Sequence, residues 1–139
     1  MGADHTAGNA LETVRSHDPL SREGQVEISF RLQIRGAILD SLGVCLFIRP
    51  AFVKDPSLSA RLLNARYGWK WSFQNVRNMG LDCLHTENRF NRLAGVSDEL
   101  SDVPEFMRTE PLPPHDSVYD VPKEEMNKIW NVQLQEDIF

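Results

Sequence analysis

The chain has 139 residues, of which 41% are hydrophobic, three of these tryptophan, and 25% charged, with a formal net charge of −5 at pH 7. That composition fits one folded domain with a modest core and excludes an intrinsically disordered chain. The acidic balance disfavours a nucleic-acid or anionic-membrane surface, no apolar run approaches the roughly 20 residues that cross a bilayer, and two widely separated cysteines make no disulfide framework, so a reducing cytoplasm is expected.

In chain order, Met1-Gly2-Ala3-Asp4-His5-Thr6 fits the loose M-G-x-x-x-[ST] lipidation pattern. His5 to Val14 has helical composition, with Ala7, Ala10, Leu11 and Val14 along one side, and Asp18-Pro19 marks a break. From Gln25 to Leu42 two periods compete. Val26, Ile28, Phe30, Leu32 and Ile34 alternate as in a half-buried strand, while Val26, Phe30, Ala37 and Leu42 also lie near one helical face. Leu46 to Val53 reads as an apolar connector, cut by Pro50 and pressed against the core. Asp55-Pro56 is a helix start, with Asp55 able to cap free N–H groups, and that helix should stop at Gly68. Ser72 can cap the next helix, whose core stripe is Phe73, Val76, Gly80, Cys83, Leu84 and Glu87. Beyond Gly95, clusters of Asp, Pro and Ser predict loop, with Pro111 to Pro114 extended or loop. A last helix is expected from Lys123 to about Gln133.

Chemistry concentrates in Asp40-Ser41-Leu42-Gly43-Val44-Cys45. Asp40 can accept hydrogen bonds from a ring bearing amino and N–H donors. Gly43 lets the backbone leave a helix at positive φ or lets a ligand sit close. Cys45 can supply a thiolate to a metal centre. Read alone, the same residues also describe a helix end with a core cysteine behind it. Cys83, on an apolar stripe, reads as packing, and His17, His85 and His115 show no ligand spacing. The basic and aromatic run Arg61 to Trp71 suggests either a stacking surface for bases or an aromatic plug over a helix end, and the acidic chain favours the plug.

The stretch Asp40 to Cys45 resembles the D-x-x-G-L-C element of the aldehyde ferredoxin oxidoreductase family, with Val44 in place of leucine. The resemblance extends to Gly2-Ala3-Asp4-His5-Thr6, Leu62-Leu63-Asn64-Ala65, Gly68-Trp69-Lys70-Trp71 and Glu87-Asn88-Arg89-Phe90-Asn91, in the family's order. It implies an all-α, irregular helical domain like the family's C-terminal helical domain. Residues 1–139 would form that single domain as a fragment of a longer oxidoreductase. It also decides the ambiguous run in favour of a helix over residues 25–42. The implied activity is oxidation of an aldehyde to a carboxylic acid at a tungsten or molybdenum bis-pterin centre, with electrons leaving through a [4Fe-4S] cluster to ferredoxin. In that setting Asp40 would bind one pterin, Gly43 and Val44 would offer backbone contacts, and His5 would handle protons. Cys45 would be the fourth cluster ligand, the other three coming from an upstream C-x-x-C-x-x-x-C run that this sequence lacks. The implied partners are the upstream pterin-binding domains, ferredoxin and a small aldehyde, and the chain alone would hold no cofactor. Leu93-Ala94-Gly95 and the run from Asn127 to Phe139 depart from the family pattern. The alternative is a non-catalytic helical interaction module that retains the family sequence.

Overall fold

The computed structural model describes Asp18 and residues 20–96 and 102–131. The helix expected over His5 to Val14 lies outside them. Six α-helices and two 3-10 turns account for the regular structure among the described residues, with no strand beyond one isolated bridge between Leu112 and Ser117. The expected all-α class is what the chain adopts.

Helix α1 (Gln25–Ser41) takes the helical solution for the ambiguous run. Its buried residues explain why a strand pattern appears there. Phe30, Ile34, Ala37 and Ile38 enter the main core with Ala60, Val76 and Leu84. Leu32, Arg35 and Leu39 are buried too, and their i, i+3, i+7 spacing places them on another face. Two residues along a helix turn the side chain by about 200°, so Phe30, Leu32 and Ile34 alternate between two faces that are both covered. A helix buried on more than one side loses the simple amphipathic signature.

The segment after α1 departs from expectation. A 3-10 turn, Leu46–Ile48, leads into α2 (Arg49–Lys54). Pro50 sits in the first turn of α2, where a missing N–H costs nothing. Only Phe52 of this stretch is fully buried, whereas Phe47 is 91% exposed. The expected core-pressed connector is therefore a short helix that inserts one side chain.

Helix α3 (Ser57–Tyr67) begins behind Asp55, whose Oδ1 accepts the Ser57 N–H at 3.1 Å and whose Oδ2 accepts from Arg61 at 2.8 Å. It ends at Gly68, at φ 71°. Helix α4 (Phe73–Leu93) opens on a capping box in which Asn75 Oδ1 accepts the Ser72 N–H at 2.9 Å. Val76, Gly80 and Leu84 form its buried line, with Phe73 and Cys83 half-covered against the core. Glu87, expected on this stripe, is exposed because the stripe runs out of partner after Leu84. Gly80 lets α4 come close to α1, since a Cβ there would lie 2.6 Å from Ile38 Cγ1 and 2.9 Å from the Ile34 carbonyl oxygen.

Helix α5 (Glu105–Thr109) stands where the Asp- and Pro-rich composition predicts loop. Its Arg108 organises the segment that follows. Nη2 donates to Asp102 Oδ1 at 2.8 Å, Nη1 donates to the Val121 carbonyl at 3.0 Å, and the guanidinium lies 5.3 Å from the Tyr119 ring centre. Residues 111–114 are non-helical, as expected. The last helix, α6 (Lys123–Met126), is shorter than predicted and tightens into a 3-10 turn over Asn127–Asn131. That turn delivers Trp130 edge-on to Phe30, with ring centres 5.9 Å apart. No single helix among the described residues is long and apolar enough to cross a membrane.

Candidate functional site

The C-terminus of α1 closes with three hydrogen bonds that engage the N–H groups of Leu42, Gly43 and Val44. Leu42 N–H donates to Ile38 O at 3.0 Å, Gly43 N–H to Asp40 O at 3.0 Å, and Val44 N–H to Leu39 O at 3.1 Å. The last two are the crossed bonds of a Schellman motif, which requires a left-handed residue at its centre. Gly43 supplies it at φ 64°, and a Cβ built there meets nothing within 4 Å. Glycine is needed for conformation at this point, not for room.

With those donors engaged, the backbone groups that Gly43 and Val44 can offer a ligand are carbonyl oxygens. Asp40 adds an exposed carboxylate one turn back, and no basic residue occupies the last turn of α1. A helix C-terminus already carries about half a negative charge, and a carboxylate beside it is unfavourable by roughly 0.3–1 kcal/mol in water. The turn is thus an acceptor-rich, negatively polarised end that suits a planar ring carrying amino and N–H donors. Cys45 follows in extended geometry, with its thiol free and exposed. Its carbonyl accepts the Ile48 N–H at 3.0 Å. Of the residues picked out in the sequence, the fold therefore collects Asp40, Gly43, Val44 and Cys45 on one turn. His5 and His17 lie outside the described residues. His85 faces Trp130, its ring centre 5.6 Å away, and His115 is exposed.

A second thiol stands at the same end of α1. Cys83 Sγ lies 3.7 Å from Glu87 Oε1. Partial burial pushes its thiol above the ordinary value, Glu87 and Asp40 add negative charge in the same direction, and the Ser41 hydroxyl opposes them. The i, i+4 relation of Cys83 and Glu87 is readable in the sequence, but their nearness to Ser41 and Asp40 comes from the α1–α4 packing. Cys83 keeps the packing role expected of it.

The aromatic run resolves as a self-contained stack. Arg66 lies 5.5 Å from the Tyr67 ring centre, Tyr67 stacks on Trp69 at 4.8 Å, and Trp69 on Trp71 at 4.6 Å. Asn64 holds the end of the stack as a strand neighbour would, donating to the Trp71 carbonyl and accepting its N–H, both at 2.8 Å. These contacts engage the ring faces, with Trp71 packed against the core while Tyr67 and Trp69 stay exposed at 57% and 44%.

The donor chemistry matches both groups that the turn is expected to meet. Its carboxylate and carbonyls fit the donor edge of a pterin, and one exposed thiol fits one iron. Among the described residues no three His, Cys, Asp or Glu side chains converge to hold a metal. A four-iron cluster needs four protein ligands, and the two cysteines of this chain cannot supply them. A family model described as aldehyde ferredoxin oxidoreductase, domains 2 & 3, matches residues 1–132. No curated protein and no solved structure matches the chain.

Proposed function

Because this chain belongs to the aldehyde ferredoxin oxidoreductase family, we propose that it is the helical part of such an enzyme that closes over a tungsten or molybdenum bis-pterin centre. The observation that carries this reading is the α1 terminus, where an acceptor-rich turn and an exposed cysteine follow one another. When bound, that centre would supply the two-electron oxidation of an aldehyde to a carboxylic acid, and a [4Fe-4S] cluster and ferredoxin would take up the electrons.

This chain's residues position that chemistry. The Asp40 carboxylate accepts from the pterin's amino and ring N–H groups, and the Gly43 and Val44 carbonyls extend the same acceptor row. Replacing the family's leucine by Val44 is tolerated, since the contact is made by the backbone. Cys45 would supply one thiolate to the cluster, five residues after the Asp40 that would hold a pterin. His5 is the proton-handling residue at the substrate. The upstream pterin-binding domains of the same enzyme complete the site, and two free thiols suit a reducing compartment.

The test is a metal, pterin and turnover assay of the enzyme that includes its upstream domains. Tungsten or molybdenum, two pterins and four irons per chain are expected, with aldehyde-dependent reduction of ferredoxin. His5→Ala should leave that content intact and lower kcat by about 10²–10⁴-fold, as for a lost general acid–base group. An enzyme carrying no pterin and no iron would instead support a non-catalytic helical module, a reading favoured only by exposed side chains such as Phe47 and Leu93.

A further inference from the structure

Helix α3 and the segment around α5 carry opposite charge. From Ser57 to Trp71 the chain holds Arg61, Arg66 and Lys70 and no Asp or Glu, although it is acidic as a whole. From Glu105 to Asp120 it holds Glu105, Glu110, Asp116 and Asp120 against the single Arg108. That arginine is spent on Asp102 and the Val121 carbonyl, so the exposed carboxylates set the sign of the surface. Each stretch also offers apolar side chains to solvent. Leu62 and Arg66 lie one turn apart on the side of α3 away from the buried Ser59 and Ala60, and the exposed Tyr67 and Trp69 continue it. Around α5 the exposed apolar residues are Phe106, Met107, Leu112 and Val118. This second surface is shaped in advance, because the Leu112 N–H donates to the Ser117 carbonyl at 2.9 Å and the Tyr119 N–H to the Met107 carbonyl at 2.7 Å. Within one chain the two surfaces do not cover each other, since α3 packs on α2 and α4.

A basic surface with Tyr and Trp anchors fits an acidic surface with apolar side chains, and this chain carries both. We infer that the chain pairs with a second copy of itself, the basic α3 surface of each copy seated on the acidic α5 surface of the other. A two-fold axis makes the two contacts identical, so the arrangement closes at the dimer. The inference stands apart from the cofactor reading above. The two kinds of group divide the work. Exposed ion pairs contribute at most about 1 kcal/mol each, so the charges orient the copies and make their association sensitive to salt. Tyr67, Trp69 and Leu62 meeting Phe106 and Leu112 supply the affinity, as aromatic anchors do in protein interfaces.

The experiment is sedimentation velocity of the full chain over a range of concentrations, at low and at high salt. A monomer–dimer equilibrium is expected, with Kd rising about tenfold or more at high salt. Two charge-reversed variants then identify the surfaces: Arg66→Glu with Lys70→Glu, and Glu110→Lys with Asp120→Lys. All four side chains are exposed, so far-UV circular dichroism should be unchanged in both. Each variant alone should be monomeric where the wild type is dimeric, because both of its contacts bring like charges together. Mixed in equal amounts they should dimerise again, since a reversed surface then meets a reversed one and a native surface a native one. That recovery on mixing is a result that a merely damaged fold would not give. A wild-type chain that is monomeric throughout or assembles beyond the dimer, a dimer indifferent to either reversal, or variants that stay monomeric when mixed would each overturn the inference.

Discussion

Cys45 and Cys83 stand near the same end of α1, yet their surroundings assign them opposite reactivity. Cys45 is exposed and free. Cys83 is half-buried, and burial together with Glu87 and Asp40 raises its thiol above the ordinary value, which leaves less thiolate at neutral pH. Alkylation of the native chain at pH 7, followed by peptide mapping, should label Cys45 first by a wide margin. Equal or reversed labelling would mean that α4 does not pack against α1 as described. The sign for stability follows from the same shift. Folding favours the Cys83 thiol, a contribution fully present below the unfolded thiol value and lost as pH rises through the raised folded one. Two glycines make a matching pair. Gly80→Ala places a methyl against Ile38 and the Ile34 backbone and should cost about 1–3 kcal/mol by overpacking. Gly43→Ala meets no neighbour but keeps φ at 64°, and should cost about 1–2 kcal/mol in conformational energy alone. Urea unfolding separates the causes: Gly43→Asn, which tolerates the left-handed region, should recover part of the loss, whereas Gly80→Ser should not recover any.

Among the elements, the clearest dependence on a single side chain is the α5 segment, where Arg108 links Asp102, Tyr119 and the Val121 carbonyl. The hydrogen bond from Arg108, with a second from the Val103 N–H, holds the Asp102 carboxyl below the usual carboxylate range. A lowered folded value means that the contribution is present above the unfolded carboxylate value of about 3.9 and is lost as pH falls through the folded one. Tyr119 NMR signals followed from pH 7 downward should therefore move below about pH 3.9, and Asp102→Asn should abolish that transition. A transition that persists in Asp102→Asn would place the acid-sensitive group elsewhere. How legible such elements are depends on whether the signal is local. Asp55 before α3, Gly68 after it and Ser72 before α4 could be read from short-range capping chemistry, and each appears where expected. The periodicity of α1 pointed to a strand because both faces bearing Phe30, Leu32 and Ile34 are buried. Only the family resemblance decided that run correctly. Pro50 was misread as a break because a proline in a first helical turn looks the same in sequence as a proline that ends one. Helix α5 was missed because its five residues are too few to show a period, and tertiary contacts through Arg108 hold it.

At the scale of the molecule, the described helices gather around one core that runs from α1 through α3 and α4 to Trp130. The acceptor turn and its cysteine are left at the rim. Their grouping could be read from Asp40 to Cys45 because six consecutive residues carry it. The nearness of Cys83, and the exposure of Phe47, could not, since both depend on how α1, α2 and α4 pack. The central claim is that this rim holds a pterin through Asp40 and a cluster through Cys45. It is tested most directly by measuring pterin, tungsten or molybdenum, and iron stoichiometry in the intact enzyme bearing Asp40→Ala or Cys45→Ser. Asp40→Ala removes an acceptor from ring donors, a loss of about 1–3 kcal/mol, and should lower pterin and tungsten or molybdenum occupancy more than iron. Cys45→Ser should lower iron first. Wild-type stoichiometry of all three in both variants would contradict the account.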